Sequence, residues 1–508
     1  MTTNRIAGMT LMCCTAMAFS ASAVERVAAM PPDGADRVSV LSNVQLELSG
    51  AVEGSTVNGT TVRLLRVSGK TGDSTSVRGS VAWDSGRSLV TFAPSRPLEY
   101  NATYVLRVDG IKGADGASLA AKATQFTTHR NLVMRKQFFR DGEMKHYQVY
   151  SYTDSGAVAE RVDFRDPGGD RQWFTDADVA GSRVLYRHDD NGNVASEVYF
   201  NSPGADGKWR TDDDIVGSYQ SSTYDAAGNQ THSLTVSGPG DDGRWFSGDD
   251  ESQNFYRYEY DAEARVVRRT LYFGLGPDRR AFTDDDDVTN YETFSYDGDG
   301  ALVRSVQYDG PGKDGRWFSS DDVVALYITV DDKSVRQSSY SAPGPDGQWY
   351  TADDVVGSYR ETRETVDSLV YVYFSGSGND GQWYTDDDEV DYYSQYLADN
   401  TGKRVKFVKM TAPGMDDRWF SSDDVAESYA TYAYDGRGLP TSYSRFAAPG
   451  RDGVWFTSDD VVQHYEKYEY SDVGNRTRLT HYNGAGRDGI WYTDDDVPVH
   501  VFDYDPGA

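Results

Sequence analysis

The segment Asp314–Asp322, DGRWFSSDD, sets three carboxylates, two hydroxyls and an indole within nine residues. Near-copies stand at Asp206–Asp214 (DGKWRTDDD), Asp346–Asp354 (DGQWYTADD), Asp452–Asp460 (DGVWFTSDD) and Asp488–Asp496 (DGIWYTDDD). With the tryptophan as marker, the series runs through Trp173, Trp209, Trp245, Trp317, Trp349, Trp383, Trp419, Trp455 and Trp491, and Ala281 fills the remaining slot. That makes ten copies, 32 to 36 residues apart. In all ten an Asp precedes the marker by three residues and another follows it by five. A third, four after the marker, is present in nine, with Ala177 the exception, and a Ser or Thr stands two after it throughout.

Carboxylates this dense suit a hard, oxygen-ligated cation, and calcium is the natural one outside cells. Its candidate ligands are Asp206, Asp213 and Asp214, then Asp242, Asp249 and Asp250, then Asp314, Asp321 and Asp322. The series continues with Asp346, Asp353 and Asp354, with Asp380, Asp387 and Asp388, and with Asp416, Asp423 and Asp424. It closes with Asp452, Asp459 and Asp460, and with Asp488, Asp495 and Asp496. The spacing is not that of an EF-hand. Zinc is disfavoured, because cysteine occurs only at Cys13 and Cys14 and the histidines do not cluster in sequence.

Turn chemistry is the competing account. Ser/Thr followed three residues later by Asp, as in Thr211 and Asp214, resembles a capping box, and Asp-Gly is an ordinary turn pair. The middle Asp has no such explanation. Bare carboxylates about 4 Å apart repel by roughly 4 kcal/mol at an effective dielectric of about 20. They must therefore be splayed into water, bonded to backbone N–H groups or bridged by a cation.

Paired aspartates also serve glycosidases as acid and nucleophile. An enzyme needs one site with distinct surroundings, whereas this pair is written ten times, which points to scaffold. No GxSxG, HExxH or phosphate loop occurs, and only the Ala281 copy, with its extra Asp287, is singular. The tryptophans would form either a ladder for sugar rings or plugs beneath their own loops. Lys208, Arg244, Arg280, Arg316 and Arg418, just before the marker, would pair with the aspartates.

The elements that carry these loops read as β-hairpins. Ten residues after the marker comes an aromatic in most copies, such as Tyr219, Phe255, Tyr291 or Tyr359. Fifteen after it, Tyr often opens a glycine turn: YDAAGN at Tyr224, YDGDG at Tyr296, YDGRG at Tyr434. Each unit is thus strand, tight turn, strand, acidic loop. The turn shrinks around Asp331-Asp332-Lys333 and Val366-Asp367, while the acidic loop keeps its length. A capping hairpin is expected over 137–172, where FFRDGE replaces the loop, and Pro498 is expected to blunt an exposed final edge. The YDxxGN turns resemble the YD repeats of the RHS family, which implies a long spiral sheet. The expected fold is all-β, with an elongated coiled sheet of about ten 36-residue hairpins over 130–508, or alternatively a β-propeller.

Upstream, Arg5, the apolar run Ile6–Phe19 and Ala21-Ser22-Ala23 form a secretory signal with cleavage near Ala23. The mature chain then has no cysteine and no disulfide. From 24 to 129, VSVLSNVQLELSG, TVRLLRV, SVAWD, SLVTFAP, TYVLRVDG and TQFTTH give six or seven alternating strands, a β-sandwich with Trp83 in its core. The text PPDGA at Pro31–Ala35, VTFAPSRPLEYNATYVLRV at Val90–Val108 and FTT at Phe126–Thr128 resembles the bacterial Ig-like domain of S-layer and other surface proteins, which implies a spacer or binding module.

A formal charge of −30 turns nucleic acid and anionic membranes away. No segment after the signal would span a bilayer. The chain is expected to be a secreted or surface-displayed, non-catalytic structural or binding protein used for adhesion, envelope structure or glycan contact, with cell-wall or extracellular glycan or a surface protein as partner. A periplasmic location also fits. The alternatives are an RHS-like shell or toxin-associated protein, and a polysaccharide-acting enzyme on a propeller. Only seventeen residues follow Trp491, which leaves no cargo region for the shell.

Overall fold

The computed structural model describes residues 24–68, 74–331 and 336–505, so the signal segment lies outside the described residues. The chain divides into two compact units, the first ending at His129 and the second beginning at Arg130.

The first unit is a sandwich of two sheets. One orders Arg26–Met30, Val44–Leu48, Leu89–Pro94 and Gly79–Asp84; the other orders Ala35–Val38, Lys122–Thr128, Thr103–Val108, Val62–Val67 and Ser74–Ser76. Period-two alternation explains the core: Val44, Leu46 and Leu48 are buried, and Glu47 between them is exposed. Leu64, Leu106 and Phe126, on the other sheet, are buried as well. Trp83 does not join this core. It lies half-buried on the edge strand Gly79–Asp84.

The second unit is one antiparallel meander of twenty-two strands, from Val133–Arg140 to Val497–Tyr504, each paired with its sequence neighbours. It is neither an open coiled sheet nor a propeller, because the first strand pairs with the last: Lys136 lies opposite Phe502 and Phe138 opposite His500. The ladder is about 105 Å around, measured across its strands. Closure removes both edges, which strand twist would otherwise leave exposed in a sheet this wide.

The ring closes by sharing a hairpin. The last repeat supplies only its first strand, Val497–Tyr504, and Val133–Arg140 from the start of the array supplies the second. The expected cap is therefore a joint. Its Asp141-Gly142 turn, with φ of 54° and 74°, links two adjacent strands tightly where other hairpins carry the long loop. Pro498 is likewise not on an open edge. It pairs with Tyr482 and sits two residues beyond the last closing pair, where its missing N–H costs nothing.

The tight turns explain the YD text. In the turn at Tyr224, Asp225 Oδ1 accepts from the N–H groups of Ala227 and Asn229, both at 2.9 Å, and Gly228 takes φ of 84°. Tyr224 itself donates to the Val194 carbonyl of the preceding hairpin at 2.9 Å. The shortened turn at Val366-Asp367 closes by Thr365 N–H to the Ser368 carbonyl at 2.8 Å. The other shortened turn, at 332–335, lies outside the described residues.

Both faces of the ring carry ionised side chains at mid-strand. Arg257 and Glu259 lie on one face with Arg268; Arg269 and Glu292 lie on the other. A lipid-facing barrel needs an unbroken apolar band on its outer face, and these strands do not supply one.

Candidate functional site

The acidic loop is built by three aspartates that each hold a different stretch of backbone. The first, three residues before the marker, accepts the N–H of the residue just before it. Asp314 Oδ1 accepts from Arg316 N at 2.7 Å, and the same bond occurs in every copy from Asp170 to Asp488. The basic residues before the marker thus engage the aspartates through backbone N–H groups.

The middle Asp, which had no explanation in the sequence, reaches back across the loop. Asp321 Oδ2 accepts from Lys313 N at 2.7 Å and Asp314 N at 3.2 Å, while Oδ1 accepts from Ser319 Oγ at 2.6 Å. These donors hold its carboxyl below the usual range, the serine hydroxyl contributing most. Asp213, Asp249, Asp353, Asp387, Asp423, Asp459 and Asp495 take the same position, and their carboxyls are lowered in the same way by the Ser or Thr first. Gly312 makes this possible: a Cβ there would lie 2.1 Å from the Asp321 carbonyl oxygen. The Pro-Gly of the motif is a close-approach requirement.

The third Asp is buried. Asp322, 7% exposed, accepts from Phe318 N at 2.7 Å and from Ser319 Oγ at 3.1 Å. Its remaining donor comes from the previous hairpin, where the Tyr291 phenol reaches it at 2.6 Å. The same phenol–carboxylate bond recurs at Tyr147–Asp178, Tyr219–Asp250, Tyr327–Asp354, Tyr359–Asp388, Tyr393–Asp424, Tyr429–Asp460 and Tyr465–Asp496. Burial and the carboxylate push these phenols far above their ordinary pKa. The capping-box resemblance is half correct: Thr351 N–H does reach Asp354 at 3.2 Å, but the hydroxyl bonds the carboxylates of Asp353 and Asp354 in place of a backbone N–H.

The loop carboxylates of a repeat are each held by backbone N–H groups, and they share one hydroxyl: Ser247 Oγ lies 3.5, 2.6 and 3.0 Å from the Oδ1 atoms of Asp242, Asp249 and Asp250. Among the described residues no group of three or more His, Cys, Asp or Glu side chains is placed to hold a metal ion. The calcium expectation at Asp206 through Asp496 gains no support from this geometry. Each of those aspartates accepts at least one backbone N–H from its own loop.

The tryptophans act as plugs. All nine are half-buried, and eight meet the tyrosine of the previous hairpin edge-on, as in Tyr359–Trp383 at 5.9 Å and 77°. That tyrosine also stacks flat on the neighbouring strand: Tyr359 on Phe374 at 4.2 Å. The residue after the marker was missed in the sequence. It takes a left-handed φ near 70° in every copy and projects its ring outward, with Phe318 44% exposed and Phe456 45%. In several copies a cation two hairpins back covers it: Arg268 lies 4.5 Å from the Phe318 centroid, Lys406 3.3 Å from Phe456 and Arg135 4.0 Å from Phe174. The Arg135 contact carries the pattern across the ring joint.

One copy replaces this arrangement with charges. Arg210 stands where the ring would be and Glu160 where the cation would be; Arg210 Nη2 donates to Glu160 Oε2 at 2.7 Å. Arg183, in the tyrosine position, also donates to Glu160 and reaches Asp214 at 3.0 Å. Two cations thus meet two anions, and the exchange of residue types is matched across three repeats.

Residues 21–128 match the model of the bacterial Ig-like domain. No curated protein matches the chain. Among solved structures, the chain is similar to the methionine-rich copper resistance protein PcoC from Escherichia coli at 18% identity and a TM-score of 0.19, covering 21% of this chain and 99% of that one. It is similar to the surface layer protein SbsC, domains 1–6, at 10% identity and a TM-score of 0.18, covering 91% of this chain and 64% of that one. It is also similar to a chain of the TcdB2-TccC3-Cdc42 complex at 12% identity and a TM-score of 0.22, covering 83% of this chain and 23% of that one.

Proposed function

We propose that this chain is a secreted or surface-displayed, non-catalytic scaffold, in which an Ig-like module precedes a closed hairpin ring that contacts envelope or extracellular glycan. The observation that carries the reading is the fate of the loop aspartates. They are spent, copy after copy, on the N–H and O–H groups of their own and adjacent hairpins, so the most chemistry-like feature of the sequence works as fastening. The match of residues 21–128 to the bacterial Ig-like model supports a surface role. The export signal at 1–23 is part of the same proposal. Fractionation of the producing cell, followed by pulldown with cell-wall and capsular glycans, tests it. Recovery in the cytosolic fraction, or turnover of a polysaccharide abolished by one Asp substitution, would overturn it.

The closure of the sheet favours a second reading, a shell in the manner of the RHS proteins. Electron microscopy of the purified chain showing an enclosed polypeptide cargo would establish the shell instead.

A further inference from the structure

The two faces of the ring obey different rules. Ten residues after the marker, on the loop-covered face, the side chain is Tyr in seven of ten copies. The next residue points to the opposite face, and there the copies diverge: Gln220, Tyr256, Glu292, Arg360, Ala430 and Glu466 occupy equivalent positions. Hairpins that share a scaffold have individual side chains here. In repeat architectures such a face is where recognition is built.

On that face Tyr256, Tyr258, Arg269, Asn290, Glu292 and Gln307 line a recess of about 490 Å³. It spans four strands, Glu251–Tyr260 to Leu302–Gly310, which flank the one loop with Ala281 in place of Trp. The tyrosine rings lie 6.3 Å apart with their planes 25° from parallel. Arg269 Nη2 donates to Glu292 Oε2 at 2.8 Å, so the recess carries one matched ion pair. Its size is that of a small-ligand site. Flat rings, two amides and an ion pair with spare donors and acceptors match a ring bearing C–H faces and many hydroxyls. The chain's charge of −30 repels polyanions.

We propose that this recess is a binding site for a neutral sugar unit of an extended glycan, with Tyr256 and Tyr258 as stacking platforms and Arg269, Glu292, Asn290 and Gln307 bonding hydroxyls. This inference rests on the glycan-contact reading above and names its site. The test presents the full chain with neutral hexasaccharides of the cellulose, chitin, mannan and xylan types beside acidic polysaccharides, and measures affinity by calorimetry. The expected result is binding of a neutral hexasaccharide that weakens by about tenfold or more in Y256A/Y258A, with the melting temperature unchanged. Hydrogen exchange on the unmutated chain should show ligand protection at 256–271 and 290–307, which decides the matter if that variant fails to fold. Undiminished binding by a folded variant, or protection confined to other strands, overturns the site and leaves the glycan reading standing. Binding of acidic polysaccharides alone overturns the neutral assignment, and no binding by any glycan overturns both.

Discussion

The Tyr359 phenol donates to Asp388 at 2.6 Å, joining mid-strand of one hairpin to the loop that opens the next. The two residues are 29 apart in sequence, and neither has a strand-pairing contact with the other. The bond therefore measures something the ladder does not, the seating of each loop on the hairpin before it. Because Asp388 is 7% exposed, its carboxylate depends on such donors. Tyr359→Phe should cost about 1–2 kcal/mol in urea unfolding, since two backbone N–H groups still reach Asp388. An unchanged midpoint would mean the loop is seated by Trp383 alone.

The chain contains its own counterpart of that variant. Phe255 occupies the tyrosine position opposite Asp286, so Asp286 Oδ2, the oxygen that takes the phenol in the other copies, is left with backbone N–H donors, Thr283 N at 2.7 Å among them. Burial raises the Asp286 carboxyl, with Asp285 and Asp278 adding to the effect. Phe255→Tyr should stabilise the chain by about 1 kcal/mol through the restored phenol bond. A loss of stability would show that the Ala281 loop has settled into a distinct packing around Phe255 and Phe282.

The charged copy predicts the opposite sensitivity. Glu160 receives both Arg183 and Arg210, and its side chain is 12% exposed. Glu160→Ala leaves two guanidiniums facing each other around Asp214 and should cost about 3 kcal/mol, read as a lower urea midpoint. Glu160→Gln should cost less, because it retains an acceptor for one arginine. Equal losses in the two variants would show that packing, not charge, holds this corner.

Much of this was legible in the sequence. The spacing of Trp and Asp fixed the repeat, Asp-Gly and YDxxGN marked the turns, and the alternation of Val44, Leu46 and Leu48 set the sandwich core. Closure was not legible, because pairing Val133–Arg140 with Val497–Tyr504 depends on twist accumulated over twenty-two strands, which no local pattern records. The Tyr–Asp bonds were written in the chain but unconnected. Their clue was the pair of exceptions, Phe255 and Arg183, whose partner loops change with them. The left-handed residue after each marker had no signal, since Phe and Tyr are poor candidates for positive φ.

The same geometry bears on calcium. An ion bound only by the folded loops would raise the melting temperature with concentration. The loop carboxylates instead accept backbone N–H groups and share a hydroxyl donor, and among the described residues no set of three is placed to hold an ion. Melting curves of EDTA-stripped protein should superimpose with and without millimolar calcium, and a concentration-dependent rise would restore the ion to these loops.

Acid should unfold the ring in two steps, the first of them at the joint. Four of the seven histidines, His146, His464, His481 and His500, lie on neighbouring strands around the closing pair. The His481 and His500 ring centroids are 5.9 Å apart, and Phe138 stacks on His146 at 4.1 Å. Lys136, Arg161 and Arg445 share this face, as do Asp163, Glu466 and Tyr443, and Glu466 Oε1 lies 3.6 Å from His481 Nε2. Burial first, and then Lys136 and the neighbouring imidazoles, hold His481 and His500 below their usual range; burial and Arg445 do the same for His464. The folded state therefore favours neutral rings, while the unfolded chain takes up protons near pH 6.5. Stability from these groups is complete above that pH and declines as the pH falls below it. The lowered loop aspartates have the same sign in a lower window, losing their contribution only below about pH 4. Melting temperature against pH should fall gently from about 6.5 and steeply below about 4, and His481→Gln with His500→Gln should flatten the first decline alone. A single acid step unaffected by those substitutions would remove the joint from the account of acid stability.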